Sequence, residues 1–195
     1  MYIIVKDILV RILNEYLMLF PNEEEKQKQL KCFLLSHSSE EIIDWNNFDG
    51  HVVASGFVYS KENNKFLVLY HKDMKRYVYP GGHVDIKDTN VLEAAKREVF
   101  EETGLKDLEQ LKLTNDPLVP IDIDTHLIQY NERLNLPEHF HFDFRYLFVI
   151  DKISDVKVDG EELSIYKWID IDELSKDHKY GMIAGKLKKY LKFKS

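Results

Sequence analysis

Cysteine is nearly missing from this 195-residue chain: Cys32 stands alone, so no internal disulfide can form and thiols supply no zinc cluster. That usage fits a reducing cytosol, and Cys32 reads as a small core residue on a helix. Long apolar runs are missing too. None reaches the roughly 18 residues of a membrane span, so a soluble, cytoplasmic chain with no membrane partner is expected. The first twenty residues are apolar, but Lys6, Asp7, Arg11, Asn14 and Glu15 interrupt them at helical spacing, which describes an amphipathic helix and not a secretory signal. An excess of positive charge is also lacking. With 27 Lys and Arg against 34 Asp and Glu, the net charge is −7, which gives no electrostatic footprint for DNA or RNA. An anionic substrate would need a metal ion as its bridge. Repeats, low-complexity tracts and flexible linkers are absent as well.

What is present suits one well-buried core with an appendage. Residues 1–48 read as a helical extension: the amphipathic helix, then a second helix from Glu23 to Ser36 with Leu30, Phe33 and Leu34 on its buried side. Ser38 and Glu41 form a capping box for a short turn that ends near Trp45. This extension could serve as a lid, a surface for a homodimer, or extra core. From His51 the texture changes to strands. HVVASGFVYS and NKFLVLYHK are β-rich runs joined through the Asn63–Asn64 pair, and RYVYP leads into a Gly-Gly turn. LEQLKL and IDIDTHLIQY are further strands, separated by a loop with Pro117 and Pro120. HFHFDFRYLFVI alternates, with His139, His141, Asp143 and Arg145 on one face and Phe140, Phe142, Phe144 and Tyr146 on the other. The polar face is the solvated side of a half-buried strand, a transition-metal site, or part of a substrate cleft. A helix from Met182 to Phe193 closes the chain, with lysines suited to its C-terminal half. The element order describes an α/β layered domain with a mixed sheet.

The organising stretch is Pro80 to Leu105. Asn90 caps a helix over Val91–Thr103, with Glu93 three places on as reciprocal partner and Gly104 at the stop. Leu92, Ala95 and Val99 form its apolar stripe, and Glu98, Glu101 and Glu102 share the neighbouring face. Arg97 can neutralise one of the three acids, most simply Glu101. Gly81 and Gly82 let backbone approach a ligand closely, and Pro80 fixes the chain going into that turn. Glycine turn, capped helix and carboxylate face together suit a hard cation such as Mg²⁺, which takes oxygen ligands and substrate phosphates. At roughly 6% usage for each charged type, an Arg-Glu-x-x-Glu-Glu-x-Gly run arises by chance on the order of once in a million starts.

Arg97, Glu98, Val99, Glu101, Glu102, Gly104 and Leu105 match the second half of the Nudix box, and Gly82 followed after five residues by Asp88 matches its first half. The chain thus resembles the Nudix hydrolases. There are two departures: Asp88 stands where the family usually has Glu, and eight residues rather than seven separate it from Arg97. Both fall ahead of the catalytic part of the helix and predict a longer loop leading into it. The resemblance implies a Nudix-like α/β/α sandwich over residues 49–195. It also implies Mg²⁺- or Mn²⁺-dependent hydrolysis of the pyrophosphate bond in a nucleoside diphosphate linked to another group. Glu98 and Glu102 become principal metal ligands, Glu101 a further one, and the Gly81 carbonyl an additional one, with Arg97 holding the carboxylates. Trp168, Ile169, Glu173 and Leu174 match family positions downstream of the box, and Glu162, six residues before the Trp, is an additional ligand or base, with Glu161 the fallback. General base is either Glu98 or a loop acid such as Glu162. His139, His141 and Asp143 are placed to contact the substrate. A nucleotide-binding sensor of the same fold that does not hydrolyse is the alternative, and the intact acids argue against it. Isomerase chemistry would want a cysteine near the box, and Cys32 is not there. Pro120 lies at a spacing that resembles the one associated with ADP-ribose hydrolases, a weak signal for substrate.

Overall fold

Alternating side chains in the long strands decide the layering. The structure, a computed structural model, describes residues 6–132, 135–153, 155–158, 163–176 and 180–193. In chain order these form α1 (Lys6–Leu19), α2 (Lys28–Ser36), β1 (His51–Ser60), β2 (Lys65–His71), β3 (Arg76–Val78), β4 (Gly81–His83), α3 (Val91–Thr103), β5 (Glu109–Gln110), β6 (Asp122–Ile128), β7 (His139–Ile150), β8 (Leu163–Asp170), α4 (Ile171–Leu174) and α5 (Gly181–Phe193). Strand β1 is buried along its whole length and runs parallel to β7, from His51↔His141 to Ser60↔Ile150. Every other strand pairing among the described residues is antiparallel: β1 with β2 and β4, β2 with β3 and β8, and β7 with β5 and β6. A mixed sheet results, as the sequence predicts.

One face of the central strands carries Val52, Ala54, Phe142, Phe144 and Phe148, which pack with α1, α2 and α3; the opposite face carries Phe57, Tyr59, Leu147 and Val149, which pack with α4 and α5. Burying each such side chain contributes about 1.5–3 kcal/mol. The N-terminal helices belong to this core: Leu9, Ile12, Leu13, Leu30 and Leu34 are fully buried, and the Phe33 ring stacks on Phe142 at 4.5 Å.

Two sequence expectations are corrected. The second helix starts at Lys28 and not at Glu23, because Pro21 opens a separate short 3₁₀ turn and the buried Gln27 turns its amide to donate to the Ile123 carbonyl at 2.7 Å. Cys32 is exposed, since the apolar stripe of this helix runs through Leu30, Phe33 and Leu34 and leaves position 32 on the outer side. The Ser38–Glu41 box does form, reciprocally, at 2.7 and 3.3 Å. Glu161 and Glu162 lie outside the described residues. Among the described residues no helix is long and apolar enough to cross a membrane.

Candidate active site

Helix α3 has the bounds that its sequence dictates: the Asn90 side chain accepts from the Glu93 amide at 3.0 Å, the Glu93 carboxylate turns to Lys96 at 2.8 Å where the sequence predicts a reciprocal bond to Asn90, and Gly104 takes the left-handed conformation, φ 70°, that ends the helix. Leu92, Ala95 and Val99 are buried against β1 and hold the acidic face in place. A helix advances about 100° per residue, so Glu102 falls about 40° to one side of Glu98 and Glu101 about 60° to the other. The structure follows this divergence. Glu98 and Glu102 line a cavity of about 900 Å³, whereas the Glu101 side chain is 54% exposed and is not among the described residues that line it.

The glycine turn fits against these two acids. Gly81 donates its amide to Glu102 Oε2 at 3.1 Å. A Cβ on Gly82 would stand 2.7 Å from Glu98 Oε2, closer than a side chain tolerates, so only glycine lets β4 lie against this carboxylate. Burial raises the Glu98 carboxyl above the ordinary glutamate value, and the Arg97 guanidinium works in the opposite direction.

Arg97 does more than neutralise Glu101. Its Nε and Nη2 grip Asp88 bidentately at 3.0 and 2.8 Å, Nη1 donates to Glu98 Oε1 at 2.8 Å and to Glu101 Oε2 at 2.9 Å, and Nη2 donates to the His83 carbonyl at 2.9 Å. The bond to Asp88 leads in raising the guanidinium pKa. Asp88 is 7% exposed and also accepts from the Asp85 amide at 2.8 Å. The loop with one extra residue is therefore folded onto the helix through this acid, and the shorter Asp side chain is served by a backbone turn from Asp85 to Asp88.

Of the other sequence candidates, Gly81, His141 and Asp143 line the cavity, and His139 stands behind His141, ring nitrogen to ring nitrogen at 3.2 Å. The polar face of β7 is buried, not solvated: His139, Asp143 and Arg145 are 6%, 2% and 6% exposed. Arg145 explains how. It donates to Asp143 Oδ2 at 2.8 Å, Asp122 Oδ2 at 3.1 Å and Asp124 Oδ2 at 2.8 Å, and its guanidinium lies 5.0 Å from the centre of the Tyr79 ring. Lys186 of α5 adds a bond to Asp122 at 2.7 Å. Tyr79 donates to Asp143 Oδ2 at 3.0 Å, while Asp143 Oδ1 is buried without a hydrogen-bond partner.

Sequence reasoning missed His51, His83 and His126, which the sheet register brings to His141. His51 and His126 are its partners across β1 and β6, and His83 pairs with Val53, two residues along from His51 on the same face. Period-2 alternation marks each strand separately but says nothing of which strands adjoin. Burial first, then the neighbouring imidazoles, push the His51 ring down to about 4 and the His141 ring to about 2, so both are neutral at pH 7. The N-terminal extension also reaches the site: Ile43, Asp44 and the 54%-exposed Trp45 form part of the cavity wall.

Carboxylate oxygens at Glu98 and Glu102, backed by a glycine turn, are the donor set that a hard divalent cation takes. Comparison with known proteins identifies the family. The family description NUDIX domain matches residues 49–191. A Lactococcus lactis subsp. cremoris protein named "Probable DHNTP pyrophosphohydrolase" is 32% identical over 130 residues, which cover 66% of this chain and 72% of that protein. An "RNA pyrophosphohydrolase" of Pelagibacter ubique is 31% identical over 146 residues, 70% of this chain and 90% of that one. Among solved structures, a C. elegans Ap4A hydrolase binary complex superposes with a TM-score of 0.52 at 20% identity, covering 73% of this chain and 96% of that one, and so shares the fold.

Proposed function

Since this chain belongs to the NUDIX family, we propose that Glu98 and Glu102 hold Mg²⁺ or Mn²⁺ for the hydrolysis of a pyrophosphate bond in a nucleotide-linked substrate. The observation that carries this reading is the pair of box carboxylates on the wall of one large cavity, Glu102 held by the Gly81 amide and Glu98 by Arg97. When bound, the cation supplies charge neutralisation for the phosphates and for the leaving oxygen. Glu101 acts from outside the cavity, through Arg97, or as a ligand by way of water. Arg97 holds Glu98 to Asp88 and so fixes the carboxylate relative to the loop. The Gly81 carbonyl is a further oxygen donor at the cavity wall.

Water attacks phosphorus, the bond from that phosphorus to the bridging oxygen breaks, and the proton of the water passes to a carboxylate. Glu98, whose carboxyl is raised by burial, and Glu162 are the two acids assigned to this role. Asp143 Oδ1, a buried acceptor with no partner, suits a donor on a ribose or base, and the exposed Trp45 and Met74 on the wall suit stacking against a base. Between them, His141 and Asp143 orient the substrate, with His139 supporting His141. A cytoplasmic setting suits nucleotide substrates, and the names of the relatives add DHNTP and RNA to the candidates.

The test is Glu102→Gln in a hydrolysis panel of ADP-ribose, dinucleoside polyphosphates, nucleotide sugars, oxidised dNTPs, DHNTP and triphosphorylated RNA, read by phosphate release with the products identified. Turnover in Mg²⁺ falls by at least roughly 100-fold, since ~3 kcal/mol of charge stabilisation goes with the ligand, and the melting curve stays in place. Unchanged turnover refutes the assignment. Tight nucleotide binding by the parent chain with no hydrolysis in either metal identifies a sensor instead.

A further inference from the structure

The histidines beside the box are unlike the rest of the cavity wall, because they offer nitrogen where the box offers oxygen. His51, His83 and His141 each present a ring nitrogen, and these atoms all lie within 4.8 Å of one another. Tetrahedral Zn²⁺, with Zn–N of about 2.05 Å, sets its ligand nitrogens about 3.3 Å apart, so small rotations of the three rings close the set. Their backbones are fixed by the sheet: His51 and His141 face each other across β1 and β7, and His83 sits on the other side of β1. The ring centres of His51 are 5.0 Å from His83 and 4.7 Å from His141.

Two further observations point to a ligand. His51 is 1% exposed, and its Nε2 is buried with no hydrogen-bond partner. Its other nitrogen, Nδ1, approaches the Asn47 carbonyl at 3.5 Å; a carbonyl only accepts, so the proton sits on Nδ1 and Nε2 keeps a bare lone pair. The second is the support behind His141. His139 Nδ1 donates to the Pro137 carbonyl at 2.8 Å, so in the neutral ring its Nε2 accepts from His141 Nε2 at 3.2 Å. That leaves His141 Nδ1 without a proton. Metal-bound histidines are oriented in this way, with the second ring nitrogen donating to a carbonyl or another fixed acceptor.

We propose that His51, His83 and His141 form a three-imidazole site for a transition-metal cation of the Zn²⁺ class, in the same cavity as the carboxylate pair and using none of its residues. Imidazole selects Zn²⁺, Co²⁺, Ni²⁺ or Cu²⁺ over Mg²⁺, and carboxylate with water selects Mg²⁺ or Mn²⁺, so the two donor sets divide the metals between them. Three protein ligands leave a fourth position, and His83, the exposed member, and His141 both line the cavity, so that position is open to a water or to a phosphate oxygen of a substrate.

The test uses the full chain, stripped with EDTA and dialysed against Zn²⁺ with Mg²⁺ in excess near neutral pH, with metal counted by elemental analysis and Co²⁺ substitution read by visible absorption. The parent binds one equivalent of Zn²⁺, and Co²⁺ gives the intense bands of a tetrahedral site. His83→Ala, which removes an exposed side chain and leaves the melting curve in place, weakens Zn²⁺ binding by at least roughly 100-fold, the upper end of what loss of a mere outer partner costs. His139→Ala weakens it by about tenfold or more. The Glu98→Gln, Glu102→Gln double variant keeps it. Three results overturn the proposal: no Zn²⁺ bound by the folded parent, parent-like binding in His83→Ala, or loss of binding in the carboxylate double variant, which would place Zn²⁺ at the box.

Discussion

Replacing Arg145 with Met tests how the polar side of the cavity is held together. The guanidinium is 7% exposed and joins three carboxylates, Asp122, Asp124 and Asp143, whose side chains are 1%, 22% and 3% exposed. Lys186 remains on Asp122 and Lys26 on Asp124, at 2.7 and 3.1 Å, so the variant leaves Asp143 as the acid with no cation partner among those described. Breaking a buried pair from one side costs about 3–5 kcal/mol. At about 2–4 °C per kcal/mol in a chain of this size, the melting temperature drops by about 6–20 °C. In the parent, burial pushes Asp122 and Asp124 up, but Arg145, Lys186 and Lys26 outweigh it at Asp122, and the His126 hydrogen bond, followed by Arg145 and Lys26, outweighs it at Asp124, so both stay below the ordinary Asp value. Their contribution is therefore full above the unfolded pKa of about 3.9 and is lost only as pH falls through it toward the lower folded values. In the variant the lysines still hold Asp122 and Asp124, so the offset to burial is weakened and not reversed at these two acids. Urea unfolding of both chains at pH 7, 6 and 5 reads the difference, in which every unaltered group cancels. The gap stays flat over this range, because the contributions of Asp122 and Asp124 are full above the unfolded pKa of about 3.9. A gap below about 1 kcal/mol at pH 7, or one that widens toward pH 5, refutes the account.

Gly82→Ala would place a methyl 2.7 Å from Glu98 Oε2 and shift that carboxylate by several tenths of an ångström or more, which lowers turnover on the order of 100-fold with little change in melting temperature; parent-like kcat would show that Glu98 need not lie against the turn. Asp88→Asn removes the charge that Arg97 grips with two bonds. Because Arg97 is 26% exposed, the loss is moderated to about 1–3 kcal/mol, measured by calorimetry, and turnover falls with it as Arg97 is released from the loop.

The parts of this molecule that sequence could state are those written in local chemistry. Asn90, the Leu92–Ala95–Val99 stripe and Gly104 define α3 to the residue, because caps, period and stop signal all act within one helix. The alternation of β7 told which residues share a face. The start of α2 at Lys28 differs from the sequence expectation because Pro21 opens a separate 3₁₀ turn and Gln27 stands as the N-cap, its side-chain amide donating to the Ile123 carbonyl, 96 positions away in the chain. Likewise, the sequence leaves the polar face of β7 open between solvent, metal and substrate cleft, because a run of His, Asp and Arg carries no sign of the Asp122, Asp124 and Lys186 that neutralise it from β6 and α5.

Sequence by itself determined the acidic arm of the candidate site, since Glu98, Glu101, Glu102 and Arg97 lie within six residues of one helix and local hydrogen bonding fixes their spacing. Tertiary structure decided which acids face the cavity: the insertion of Gly82 against Glu98 and the grip of Arg97 on Asp88 turn Glu98 and Glu102 inward and leave Glu101 outside. It also decided that His51, His83 and His141 meet. Strand register is a pairing between distant segments, set by burial of the apolar face, and no period within one strand encodes it.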